Sequence, residues 1–171
     1  MNKDGYTVTH GKDKDHCCPE LDTKRWNEKT HNWNNKPFIR QSIPELFHIP
    51  LPWMFGGAVH KMWEMAKEAG AAVENKDFIL MSYDPSPWKS ELYMTVTKEI
   101  PGADNVKLSG TFISKVFDGS YNAVPKWIEE FDKYLSGHGK KAKKYYFYFT
   151  YCPKCVKAYG HNYCVAFAKV D

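Results

Sequence analysis

With 171 residues, 43% hydrophobic and 16% aromatic, the chain can bury a substantial core, and disorder over most of its length is excluded. A formal net charge of +4 without an RNP, zinc-finger or basic-helix motif makes no case for a nucleic-acid partner. No run approaches the ~18 apolar residues of a membrane span, and MNKDGYTVTHGKDKDH at the start lacks the apolar centre of a signal peptide. The expectation is a cytoplasmic protein, monomeric or weakly dimeric.

Residues 1–15 are polar, charged and without period, which predicts a flexible tail ahead of one domain over 16–171. HCCPELDTKRWNEKTHNWNNKPF, rich in Asn, Lys and Trp, predicts irregular structure pinned by Trp26 and Trp33. FIRQSIPELFHI reads as a strand, with Pro44 placing it at an edge or a bulge. FGGAVHKMWEMAKEAG sets Phe55, Val59, Met62, Trp63 and Ala66 on one helical face and offers Gly70 as a stop. DFILMSY is a second strand. SELYMTVT alternates, with Leu92, Met94 and Val96 on one side and Glu91, Tyr93 and Thr95 on the other.

The order then recurs. VKLSGTFISKVF is a strand with Gly110 as a candidate bulge. SYNAVPKWIEEFDKYLSG is a helix capped by Ser120 that buries Tyr121, Val124, Trp127, Ile128, Phe131 and Leu135. YYFYFTY and YCVAFAKV are two more strands. AVHKMWE from Ala58 is echoed by AVPKWIE from Ala123, and SYDP from Ser82 by TYCP from Thr150. Shared segments in shared order predict a duplication. The fold expected is α+β, a duplicated β-α-β-β unit with repeat one over 36–99 and repeat two over 106–171. Helices cover one face of the sheet and a ligand cleft lies on the other.

In YYFYFTY, Tyr145, Phe147, Phe149 and Tyr151 point one way and Tyr146, Tyr148 and Thr150 the other. The Phe-rich set suits the helix side. Tyr146 and Tyr148 suit a ligand wall, since a phenol has a flat apolar face and a hydrogen-bonding tip; the plainer reading is a core strand with satisfied hydroxyls. Five cysteines in a chain with no signal peptide point to thiols or metal ligands before disulfides. Cys152-Pro-Lys-Cys155 in a turn between strands, with Cys17-Cys18 in the N-terminal arm, allows three readings. They are a structural zinc site, a redox pair (set aside for lack of a helix N-terminus), and buried spectator thiols.

CCPELDTKRW, KPFIR, FHIPL, DPSPWKSELY, LSGTF and CPKCVKAYG together resemble an uncharacterised "hydrolase" subgroup of the GyrI-like small-molecule-binding family, related to SOUL proteins. The resemblance implies an aromatic-lined cleft binding a hydrophobic, aromatic or electrophilic small molecule, with hydrolysis of strained rings in some members. The alternative it implies is a non-enzymatic sequestering or inhibitor protein. Many relatives carry a Tyr-Glu pair where this chain has Tyr146-Phe147. Glu91, beside Tyr93, is the best substitute, with His48 and Asp84 as other candidates. It is expected to have a raised pKa among rings and to act as base, with Tyr93 as hydrogen-bond donor, the plainer reading being a solvated Glu on an exposed sheet face. His48, Trp53, Trp88, Phe112, Tyr146 and Tyr148 complete the expected ligand-binding set, and no cofactor is required.

Overall fold

The computed structural model describes residues 18–171, Pro50 and Pro52 by backbone alone. The expected tail over 1–15, and Cys17, lie outside the described residues. The chain forms two compact units. One comprises Asn35–Leu108, with which Cys18 and Pro19 are grouped; the other comprises Glu20–Asn34 and Ser109–Asp171.

In the first unit, the later part of β1 (Lys29–Leu46) pairs antiparallel with β4 (Lys89–Thr95), from Phe38 opposite Thr95 to Pro44 opposite Lys89. β4 pairs in turn with β3 (Leu80–Ser86). The two-residue β2 (Ile49–Pro50) folds back on the end of β1. Helix α2 (Pro52–Glu68) starts on a proline, harmless at the first turn, and stops before Gly70, whose φ is 62°. Val59, Met62 and Ala66 of its apolar stripe are buried, while Phe55 and Trp63 are half-buried. Both faces read from SELYMTVT prove largely buried. Leu92, Met94 and Val96 are buried, and so are Tyr93 and Thr95, the latter accepting the Ile79 N–H at 2.9 Å.

In the second unit, the later part of β5 (Asp104–Asp118), followed by the short 3-10 turn Tyr121–Ala123, leads into α3 (Val124–Gly137). β6 (Lys144–Phe149), α4 (Pro153–Tyr159) and β7 (Tyr163–Lys169) follow. β7 lies between β5 and β6, antiparallel to both. The order of pairing is the same in the two units: first strand, last strand, middle strand. Trp127, Phe131 and Leu135 of α3 pack on Ile113 and Phe117 of β5, on Tyr145, Phe147 and Phe149 of β6 and on the small Cys164, Ala166 and Ala168 of β7. The Phe-rich side of YYFYFTY is therefore the helix side, as its alternation predicts.

The opposite face of this sheet is covered from within the unit. HCCPELDTKRWNEKTHNWNN is less irregular than its composition suggests: it supplies α1 (Thr23–Trp26) and the start of β1. Trp26 and His31 lie against Phe167, and Trp33 stacks on Phe112 with centroids 4.2 Å apart. Three further expectations are corrected. Tyr121 is exposed, because it precedes the helix proper; Ser120 makes no side-chain cap bond; and FHI leaves the strand in a tight turn. Every ladder given above is antiparallel, so the architecture is mixed α and β. No helix among the described residues is long and apolar enough to cross a membrane.

Candidate functional site

The tight turn ending β1 organises a cluster of ligating side chains in the first unit. Leu46 pairs with Ile49, so Phe47 and His48 form a two-residue hairpin turn, with φ of 50° and 64°. Such turns ordinarily use Asn and Gly, because side chains disfavour positive φ. Two backbone bonds hold the turn in place: Glu45 N–H donates to Trp88 C=O and His48 N–H to Pro87 C=O, both at 2.9 Å. On the facing hairpin, the β3–β4 register shifts between Tyr83 and Ser86, and Asp84 falls in that irregular stretch. Register shifts of this kind re-aim a side chain out of the regular pleat.

Glu45, His48 and Asp84 converge, with one ligating atom from each within 4.8 Å of the others. His48 Nδ1 stands 3.5 Å from Asp84 Oδ2, and Ser90 donates its hydroxyl to Asp84 Oδ1 at 2.8 Å. Glu45 is only 8% exposed, and its Oε2 has no hydrogen-bond partner among the described residues. Burial, and next the Asp84 charge, push the Glu45 carboxyl up to about 7; His48 and Ser90 pull the other way without prevailing. Around this cluster the surface is apolar. Phe47 and Trp88 are 66% and 54% exposed with centroids 4.9 Å apart, and Leu46, Ile49 and Trp53 are exposed as well.

Glu91 and Tyr93 come together as the sequence suggested, Tyr93 donating to Glu91 Oε2 at 2.6 Å. The raised pKa expected of Glu91 is corrected. Partial burial does raise it, but hydrogen bonds from Tyr93 and Lys89 and the charges of Arg40 and Lys89 outweigh burial and hold it below the ordinary value. Arg40 also bonds Asp104 at 2.7 Å. Of the expected ligand walls, Phe112 and Tyr146 are buried in the second unit, 6.1 Å apart, and Tyr148 is half-buried. His48, Trp53 and Trp88 are exposed in the first. Glu45 was not singled out from sequence. Its signal was a lone carboxylate inside the apolar run IPELFHIPLPW.

Cys152 caps α4 and Cys155 sits in its first turn, so the motif opens a short helix instead of a bare turn, and the ground for setting aside the redox reading falls away. Cys18, Cys152 and Cys155 are buried and free of disulfides.

A family model described as "Bacterial hydrolase" matches residues 8–170. The chain belongs to the bacterial hydrolase family. The hydrolase part of the resemblance read from the motifs is carried by this match; the GyrI-like part is not. No curated protein matches. Among solved structures, this bacterial hydrolase family member is similar to an uncharacterised conserved protein from Listeria innocua, with a TM-score of 0.62 and 7% identity over 85% of this chain and 92% of that one. That likeness concerns fold alone.

Proposed function

We propose that this chain binds a hydrophobic, aromatic or electrophilic small molecule on the apolar surface of its first unit and hydrolyses it at Glu45, His48 and Asp84. The observation that carries this reading is Glu45, a buried carboxylate with an unpartnered oxygen, beside a second carboxylate, an imidazole and two exposed rings. Carboxylates are rarely buried unless paired, and exposed aromatic surface marks binding sites. In the hydrolysis, water adds to an electrophilic carbon and a cluster carboxylate takes the water's proton. The atom leaving that carbon is protonated in return, with His48 within reach as donor. One water is consumed and nothing is oxidised.

The test uses hydrophobic esters and strained-ring electrophiles, with turnover followed by mass spectrometry and binding by tryptophan fluorescence. Glu45→Gln should lose about 10²–10⁴ in rate while retaining binding, and Trp88→Ala should weaken binding. Binding without turnover in the wild type would instead make the protein a sequestering module. Neither binding nor turnover would end the reading. The 2.6 Å Tyr93–Glu91 bond favours a second reading, in which that pair is the hydrolytic dyad. It predicts that Glu91→Gln, not Glu45→Gln, abolishes turnover.

Two further expectations enter as proposals. A structural zinc would be held by Cys18, Cys152 and Cys155, with Cys17 as fourth ligand; metal-free protein with freely titratable thiols would refute it. Both units would descend from one GyrI-like β-α-β-β segment. Support comes from their common pairing order and from AVHKMWE lying within α2 and AVPKWIE at the start of α3. Experimental coordinates in which the two units do not superpose would refute it.

A further inference from the structure

We infer that Glu45, His48 and Asp84 form a binding site for a divalent first-row metal ion, with two carboxylates and one imidazole as ligands. This deepens the hydrolytic reading and rests on it for its purpose, though the site stands on its own geometry.

Three observations support the site. The first is the donor set: two carboxylate oxygens and an imidazole nitrogen mutually within 4.8 Å. Mixed carboxylate and imidazole ligation with three protein donors is the composition of catalytic metal sites, which keep a remaining position for water or substrate. The second is Glu45 itself. It is more than nine-tenths buried, and its Oε2 has no hydrogen-bond partner among the described residues although a ligating oxygen of Asp84 lies within 4.8 Å of a Glu45 carboxylate oxygen. A buried carboxylate without a partner is costly, and a second carboxylate beside it makes ionisation harder still. One cation resolves both problems, because it supplies the missing partner and cancels the repulsion.

The third is the support around the ligands. Ser90 holds Asp84 by Oδ1, leaving Oδ2 on the His48 side. Hydrogen bonds of this kind orient metal-ligating carboxylates. The His48 backbone is fixed by its bond to Pro87 C=O, so the ring leaves a pinned turn. The elements that bring the donors together are the β1 end, its hairpin turn and the irregular start of the β3–β4 hairpin, all within the first unit. A cation held here would make an attached water acidic near neutral pH, which is the chemistry a hydrolase needs.

Manganese is the probe, because a hard ion disfavours thiolates and leaves the cysteines out of the measurement. Full-length protein stripped with EDTA is titrated with Mn²⁺ by electron paramagnetic resonance, and with Zn²⁺ by calorimetry in a variant lacking Cys152 and Cys155. One Mn²⁺ per chain is expected. Asp84→Asn and Glu45→Gln should each weaken it at least tenfold, and Ser90→Ala about 10–100-fold through the loosened carboxylate. His48→Ala changes an exposed side chain, so it keeps the test decisive if the buried variants fold poorly. Absence of saturable binding of either ion, or a folded His48→Ala that binds as tightly as wild type, overturns the inference. Turnover that persists in EDTA with no metal bound overturns it too and leaves the hydrolytic reading standing. Saturable, variant-sensitive binding with no turnover on any substrate supports the site and defeats the hydrolytic reading instead.

Discussion

The two units share an order of strand pairing and each buries rings in its core, yet three of the large exposed rings among the described residues lie in the first. In the second unit, Trp127 stacks on Phe117 at 5.3 Å, Phe131 lies against Tyr145, and Trp33 covers Phe112. These rings are the core. In the first unit, Phe47, Trp53 and Trp88 stand exposed, and the group buried near two of them is a carboxylate with one oxygen lacking a hydrogen-bond partner among the described residues. Exposed rings and an unsatisfied buried acid work against stability. A fold tolerates them where recognition or chemistry requires them. On the proposed reading, cohesion belongs to the buried rings and recognition to the exposed ones.

The sharpest test of that contrast is a pair of tryptophan variants. Trp127→Ala removes a buried, stacked ring and should destabilise the protein by about 3–5 kcal/mol in denaturant unfolding. Trp88→Ala should leave stability within about 0.5 kcal/mol, as exposed substitutions do, while weakening binding of hydrophobic ligands. Equal stability effects would erase the distinction.

A middle-sized effect is expected at Gly110, whose φ is 124° and where a Cβ would sit 2.5 Å from Asp171 Oδ1. That carboxylate accepts the Thr111 N–H with both oxygens at 2.9 Å. Gly110→Ala should lose about 1–3 kcal/mol through strained backbone and a displaced C-terminus. An unchanged midpoint would show that the backbone at Gly110 relaxes freely.

The smallest predicted effect is electrostatic. Partial burial raises the Asp118 carboxyl, but the His161 hydrogen bond at 2.7 Å, the Asn162 N–H and the His161 charge together hold it below its ordinary value. A carboxyl with a lowered folded pKa contributes stability above the ordinary carboxylate range and loses it as pH falls through the folded value. Asp118→Asn should therefore be slightly less stable than wild type at pH 7 and converge with it in acid. A gap that persists in strong acid would assign the effect to something other than this charge.

Regular elements were legible in the sequence where one period dominated. The α3 stripe, the Phe-rich face of β6 and the Gly70 stop all follow from spacing. What escaped was whatever depended on partners distant in the chain. SELYMTVT alternates, but alternation shows only that its faces differ, and Thr95 is buried through its bond to Ile79. Glu91 was expected to be an uncomfortable acid because rings flank it in sequence; Lys89, Tyr93 and Arg40 make it a comfortable one. Glu45 escaped for the converse reason. It reads as one polar residue in an apolar run, and the turn at Phe47–His48 and the irregular Asp84 stretch that isolate it have no Gly or Asn signature. Trp88 and His48 were expected at a site from their places next to SELYMTVT and near a strand end, and both are exposed.

The first unit's Glu45 cluster is the proposed seat of the chemistry. The most direct measurement is single-turnover hydrolysis of a hydrophobic electrophile by wild type, Glu45→Gln and Glu91→Gln, with binding of the same compound measured in each. Glu45→Gln should bind but turn over about 10²–10⁴-fold more slowly, while Glu91→Gln keeps most of the rate. Full activity in Glu45→Gln, with or without loss in Glu91→Gln, would contradict that assignment.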